Sequence, residues 1–179
     1  MSARLRELTA TELAARSDAV LSVYAEAMKV SASEAASRRS ILAGHLRRSG
    51  FRAHVAVDDD GRMVGVAYGY LGAPGQWWHD KVADALTPEQ ERTWLDGAFE
   101  VCELHVRPAD QGTGLGRSLL AALLVGPVAP TAILTTPDAD TRARRFYRQG
   151  GWVDLRCGLR FPGDPRVFAV LGLRLTPSA

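Results

Sequence analysis

The residues best placed to do chemistry sit in one run, Leu104-His105-Val106-Arg107-Pro108-Ala109-Asp110-Gln111-Gly112-Thr113-Gly114-Leu115-Gly116-Arg117-Ser118. Three glycines alternate at the mouth of a predicted helix. Glycine suits that place because the backbone must curl until successive N–H groups point at one anion, and a Cβ would block close approach. The positive end of the helix adds to the attraction, so the loop can cradle a diphosphate without any side-chain charge. Two nucleotide loops fail on spacing. A P-loop needs Gly-Lys-Ser/Thr after four intervening residues, which is absent. The dinucleotide fingerprint needs glycines at offsets 0, 2 and 5, but counting from Gly112 the last position is Arg117, and from Gly114 it is Leu119. Just upstream stand two carboxylates, Glu100 and Glu103, which face opposite sides of a regular strand, so only one of them can serve as a proton acceptor at a given site.

The elements that must position these groups are readable from periodicity. A strand over 99–106 enters the loop, a helix runs on to Val125, a strand follows at 131–136, a helix at 139–149, and two strands end the chain. The strands at 99–106 and 131–136 are joined by a helical crossover and are predicted to be parallel. Before them, a short strand at 3–8 precedes two capping boxes. Thr9 with Glu12 opens a helix carrying Leu13, Val20, Leu21, Tyr24 and Met28 on one side, and Ser31 with Glu34 opens a second with Ala35, Ile41, Leu42 and His45 inward, ending at Gly50. A hairpin follows. Phe51, Ala53, Val55 and Val57 alternate, Asp58-Asp59-Asp60-Gly61 turns the chain, and Val64, Val66, Tyr68 and Tyr70 alternate again opposite Gly65, Ala67 and Gly69. The order predicts an α/β (α+β) fold with a mixed, mostly antiparallel sheet.

Taken together, Gln111, Gly114 and Gly116, preceded by Leu104, Val106 and Pro108, resemble the coenzyme A loop of the GNAT superfamily of acyltransferases. A second block agrees: Asp140, Ala143, Phe146-Tyr147 and Gly151-Trp152 are similar to the family's Asn-x-x-Ala-x-x-Phe-Tyr-x-x-x-Gly-Phe, with Asp for Asn and Trp for Phe. The element order follows the family over roughly residues 1–173, and the specific motifs lie within 99–152. The resemblance implies the GNAT fold, with helices on both faces of the sheet and a parallel pair splayed at the cofactor site. It also implies transfer of an acetyl group from acetyl-CoA to an amine, of a small molecule or a protein, by direct attack in a ternary complex. An alkylamine with pKa about 10.4 must first lose a proton, and the leaving thiolate needs a donor. On this resemblance Tyr147 is the donor and Glu100 or Glu103 the base, Glu100 slightly favoured. Leu104, His105 and Val106 would pair with the pantetheine arm. Gln111, Gly112, Thr113, Gly114, Leu115, Gly116 and Arg117 would hold the phosphates. Asp140 keeps an acceptor at the family's Asn position but loses the amide donor and gains charge, which weakens its cofactor contact. Two other readings compete: a domain that binds CoA without turnover, and a dinucleotide-dependent oxidoreductase drawing on Asp138.

Composition bounds the rest. The 179 residues are 46% hydrophobic and 23% charged with a net charge of +2, which predicts a single domain with no global field for nucleic acid. The longest apolar run, Leu119 to Val125, is far short of the ~20 residues that span a bilayer, and the start lacks a signal-like segment, so a cytoplasmic location is expected. Cys102 and Cys157 have neither zinc spacing nor a disulfide pattern and are expected as reduced, buried thiols, and His45 and His54 as structural residues. Residues 72–98 read as a helical insertion with Pro88 at a helix start. Between Asp80 and Glu103, seven acidic residues stand against two basic ones, so an insertion lying over the acceptor would favour a cation, with Trp77, Trp78 and Trp94 as walls. Arg144 and Arg148 form a like-charge i, i+4 pair costing about 0.2–0.5 kcal/mol that a nearby anion would offset. A homodimer paired through the terminal strand is a further possibility.

Overall fold

The structure is a computed structural model that describes residues 3–176. Its elements run β1 (Arg4–Leu8), α1 (Ala10–Ala14), α2 (Ser17–Met28), α3 (Ala32–Ser37), α4 (Arg39–His45), β2 (Arg52–Val57), β3 (Met63–Leu71), α5 (Trp77–Ala83), α6 (Pro88–Gln90), β4 (Phe99–Val106), α7 (Leu115–Leu124), β5 (Thr131–Pro137), α8 (Arg142–Gln149), β6 (Val153–Arg160) and β7 (Val167–Arg174). The strands are ordered β1-β2-β3-β4-β5-β7-β6 in a mixed sheet. The chain divides into two compact units. One holds the residues up to Tyr70 and Val101–Pro127, and the other holds Leu71–Glu100 and the residues from Val128 on.

In the first unit, the predicted hairpin forms around Gly61 in the left-handed region, with the Asp58 carboxylate accepting from the N–H groups of Asp60 and Arg62. β1 pairs antiparallel with β2, and β2 with β3. One face carries Leu8, Ala53, Val55, Val66 and Tyr68 and packs on Leu13, Val20, Val23 and Leu42 from the helices. The other face is made of small residues because α7 lies close against it. A Cβ on Gly65 would sit 2.8 Å from Leu119 Cδ1 and 3.3 Å from the His105 carbonyl oxygen. Gly65→Val therefore overpacks this layer and is expected to destabilise the fold by about 2 kcal/mol, read as a lower denaturant midpoint at unchanged slope.

The two helices expected before the hairpin are four. The Thr9–Glu12 and Ser31–Glu34 capping boxes form as expected, but each helix breaks within a few turns. At each break a serine hydroxyl donates to the carbonyl three residues back, Ser17 to Ala14 and Ser37 to Glu34, both at 2.7 Å. These bonds compete with continuation of the helix. Met28, the last residue of α2, and Ile41, next to the buried Leu42 on α4, are 40% and 45% exposed rather than inward.

In the second unit, β4 begins parallel to β5 through Phe99↔Ala132 and Glu100↔Ile133. β5 pairs antiparallel with β7, and β7 with β6, whose register shifts twice. Residues 72–98 hold α5, α6 and a π-helical turn at Glu91–Leu95; Pro88 starts α6 as expected, and the Thr87 side chain caps it by accepting the Gln90 N–H. Val82, Leu86, Leu95 and Ala98 bury Ile133 and Val170. Trp78 and Trp94 belong to this packing: the Trp78 indole donates to Thr135 Oγ1 at 3.2 Å, and Trp94 lies beneath Arg174 and over Gly172. Trp77 is 56% exposed against Phe161. α8 starts at Arg142, later than expected, because Thr141 accepts the Arg144 N–H as its cap.

Two further expectations change. Cys102 is half-buried beside the first unit's core, whereas Cys157 is exposed on β6. Arg144 does not lie on a solvated helix face. It is buried between Asp138 and Asp154, and Arg148 shares Asp154, which is the anion that offsets the Arg144–Arg148 repulsion.

Candidate active site

Glu103 and His105 stand two apart on β4 and so share a face. That face lines a concavity walled by Val20, Leu21, Tyr24, Ile41, Leu42, Val66 and Tyr68, with Arg38 beside the two. Arg38 occupies the break between α3 and α4, in a position that points its guanidinium back onto the sheet. It donates to Glu103 Oε1 at 2.8 Å and lies 4.7 Å above the Tyr24 ring. His105 Nε2 meets Glu103 Oε2 at 2.5 Å, and the Tyr24 ring meets the imidazole edge-on at 5.2 Å. Burial pushes Glu103 up, but the hydrogen bond from His105 and the charge and hydrogen bond of Arg38 outweigh it, holding the carboxyl below its ordinary range. Burial also opposes charge on Arg38, and Glu103 more than restores it. On the apolar side, burial lowers His45 and raises Tyr68 well above the ordinary phenol value; the two meet at 3.3 Å.

The same strand leads into the glycine loop, and Arg107 fixes where it ends. Its N–H donates to the Val64 carbonyl at 2.9 Å, Nε to the Met63 carbonyl at 2.8 Å and Nη2 to Ser22 Oγ at 3.1 Å, while Nη1 pairs with Glu26. Gln111 closes the loop by donating to the Val106 carbonyl at 2.9 Å, so its side chain braces the cradle. Gly112 and Gly114 have φ of 85° and 90°. Gly114 stands at the start of α7, which has no side-chain cap, and Thr113 turns its hydroxyl away to the Asp110 carbonyl at 2.8 Å. A Cβ on Gly114 would meet nothing within 4 Å, so the space before the first amides of α7 is open. That suits a diphosphate, whose oxygens need N–H donors and room. Leu115 is buried and Arg117 exposed.

The other expected residues lie in the second unit. Glu100 is 4% exposed, opposite Ile133 in the β4–β5 register, and does not line the concavity. Tyr147 is half-buried against Phe146 and Trp152. Asp140 is exposed and ion-paired to Arg145 at 2.7 Å. Asp138, the acid available to a dinucleotide ribose, is engaged by Arg144 and the Gly158 N–H. Arg38 and Arg107 escaped sequence reading, since their partners Glu103 and Glu26 lie 65 and 81 residues away.

A model of the acetyltransferase (GNAT) family matches residues 18–151. The chain belongs to the GNAT family. It is 34% identical, over 98% of its length and 99% of the relative's, to the GCN5-like protein acetyltransferase Rv2170 of Mycobacterium tuberculosis. A GNAT-family structure from Desulfovibrio desulfuricans matches 98% of this chain and all of that one at 19% identity with a TM-score of 0.70. The Salmonella typhimurium protein yncA, solved with acetyl-CoA, matches the whole chain and 97% of its own at 16% identity with a TM-score of 0.62. GNAT proteins are acyltransferases that draw on acyl-CoA, and the mixed seven-stranded sheet with flanking helices is their fold. No described helix is long and apolar enough to cross a membrane.

Proposed function

We propose that the chain is an N-acetyltransferase that moves the acetyl group of acetyl-CoA to an amine on a protein. The observation that carries this reading is the uncapped start of α7 with left-handed Gly112 and Gly114, a few residues downstream of a part-buried carboxylate–imidazole pair on β4. The 34% identity to a protein acetyltransferase favours a protein acceptor over a small amine. When bound, acetyl-CoA supplies an activated thioester and a thiol leaving group. The amides at 112–116 hold its diphosphate, with Arg117 at the first turn for added charge. The Glu103–His105 pair takes the acceptor's proton, and the Tyr147 phenol hydrogen-bonds the departing sulfur.

The purified chain, given acetyl-CoA and a panel of lysine and N-terminal peptides, is expected to release free thiol. Glu103→Gln should lower kcat on the order of 100-fold without changing the acetyl-CoA Kd, and Tyr147→Phe should also slow release. Thermal stabilisation by CoA with no thiol release from any amine would instead mark a domain that binds CoA without turnover.

A further inference from the structure

We propose that His105 is the group that takes the acceptor's proton, and that Glu103 and Arg38 are positioning residues aligned behind it. This inference rests on the acetyl transfer just proposed and identifies its proton acceptor. Both oxygens of Glu103 already receive donors, Oε1 from Arg38 at 2.8 Å and Oε2 from His105 at 2.5 Å. A carboxylate loaded in this way has its charge stabilised and is a poorer base than a bare one. The imidazole is in the opposite position. Its Nε2 is committed to Glu103, which fixes the tautomer with N–H there and leaves the lone pair on Nδ1. A carboxylate behind an imidazole also steadies the imidazolium that forms once a proton arrives.

The surroundings fix the ring in place. Tyr24 stands at 89° to it, and its side chain is only 13% exposed among Val20, Leu21 and Val66. The charged or titratable groups facing this pair are Tyr24 from α2, Arg38 between α3 and α4, His45 from α4 and Tyr68 from β3. Among them Arg38 alone carries a fixed charge at neutral pH, and it lies against Glu103 rather than the imidazole. It therefore holds the carboxylate ionised and fixes its orientation from the far side. In the transfer, an acceptor ammonium gives one proton to His105 Nδ1, and its freed lone pair forms the bond to the acetyl carbon. The carbon–sulfur bond breaks, the second nitrogen proton leaves with the sulfur as thiol, and His105 returns its proton to water.

Histidine-selective 15N spectra of the full chain at neutral pH are expected to show His105 carrying its proton on Nε2, and an Nδ1–H tautomer would overturn the proposal whether or not the chain acetylates anything. His105→Gln keeps a donor toward Glu103 but lacks a basic nitrogen. It is expected to lose on the order of 1,000-fold in kcat at unchanged Tm and unchanged acetyl-CoA Kd. In His105→Ala, added imidazole should restore part of the rate. Arg38→Met should move the acidic limb of kcat/KM upward, because Glu103 then loses a neighbouring positive charge that favours its ionised form, and Arg38→Lys should move it back. A His105→Gln rate within twofold of wild type would assign the proton to Glu103 directly and overturn the proposal. If the wild-type chain binds acetyl-CoA but releases no thiol, the acetyl-transfer reading fails and this inference with it, whereas thiol release together with an Nδ1–H tautomer overturns this inference alone.

Discussion

Replacing Gly114 with valine is expected to weaken acetyl-CoA binding at least 100-fold while the chain stays folded. Gly114 sits at φ 90° with open space where a Cβ would project. A β-branched residue held at positive φ costs on the order of 1–3 kcal/mol in backbone strain. It can escape that strain only by turning the first amides of α7 away from their common focus. If it stays, its methyl groups fill the space a diphosphate needs. Either way several charge-assisted hydrogen bonds are lost, each worth roughly 1.5–3 kcal/mol. Gly44, within α4, is the control. It has ordinary helical backbone and nothing within 4 Å of a Cβ, so Gly44→Ala should leave binding unchanged and the fold equal or slightly more stable.

The second large effect is on stability. Arg107→Met removes the side-chain donors to the Met63 carbonyl, Ser22 and Glu26 at a residue only 5% exposed. Glu26 is 43% exposed and keeps Arg62, so it is not left as a buried unpaired charge. The Met63 carbonyl loses its guanidinium donor inside the core. The expected loss is about 3 kcal/mol, or roughly 6–12 °C in Tm for a chain of this size. Because Arg107 also fixes the end of β4, acetyl-CoA affinity should fall with it. A melting temperature within 2 °C of wild type, measured by calorimetry, would show that the clamp does not stabilise the fold.

What the sequence made legible was local. The alternation at 52–57 and 63–70, the Asp-rich turn, the capping boxes at Thr9 and Ser31 and the helix start at Pro88 each rest on neighbours within four residues, and each formed. The glycine loop was legible for the same reason, since its conformation is written in residue types that only that backbone requires. The helix breaks depended on whether Ser17 and Ser37 would bond to backbone carbonyls, a choice that patterning does not encode. The functional cluster was legible only in part. Glu103 was visible as one of two candidate bases and His105 as a neighbour of the cofactor, but their contact was not read as a pair. Arg38 reaches Glu103 across 65 residues from a helix break with no periodic signal. Arg144 read as one of several arginines on a polar face, and only the fold places Asp138 and Asp154 on either side of it.

Titration calorimetry of acetyl-CoA into the full chain tests the central claim most directly. The account predicts one site with a Kd in the micromolar range, retained in Gly44→Ala and lost in Gly114→Val. No heat from the wild-type chain, or an equal Kd in Gly114→Val, would contradict it.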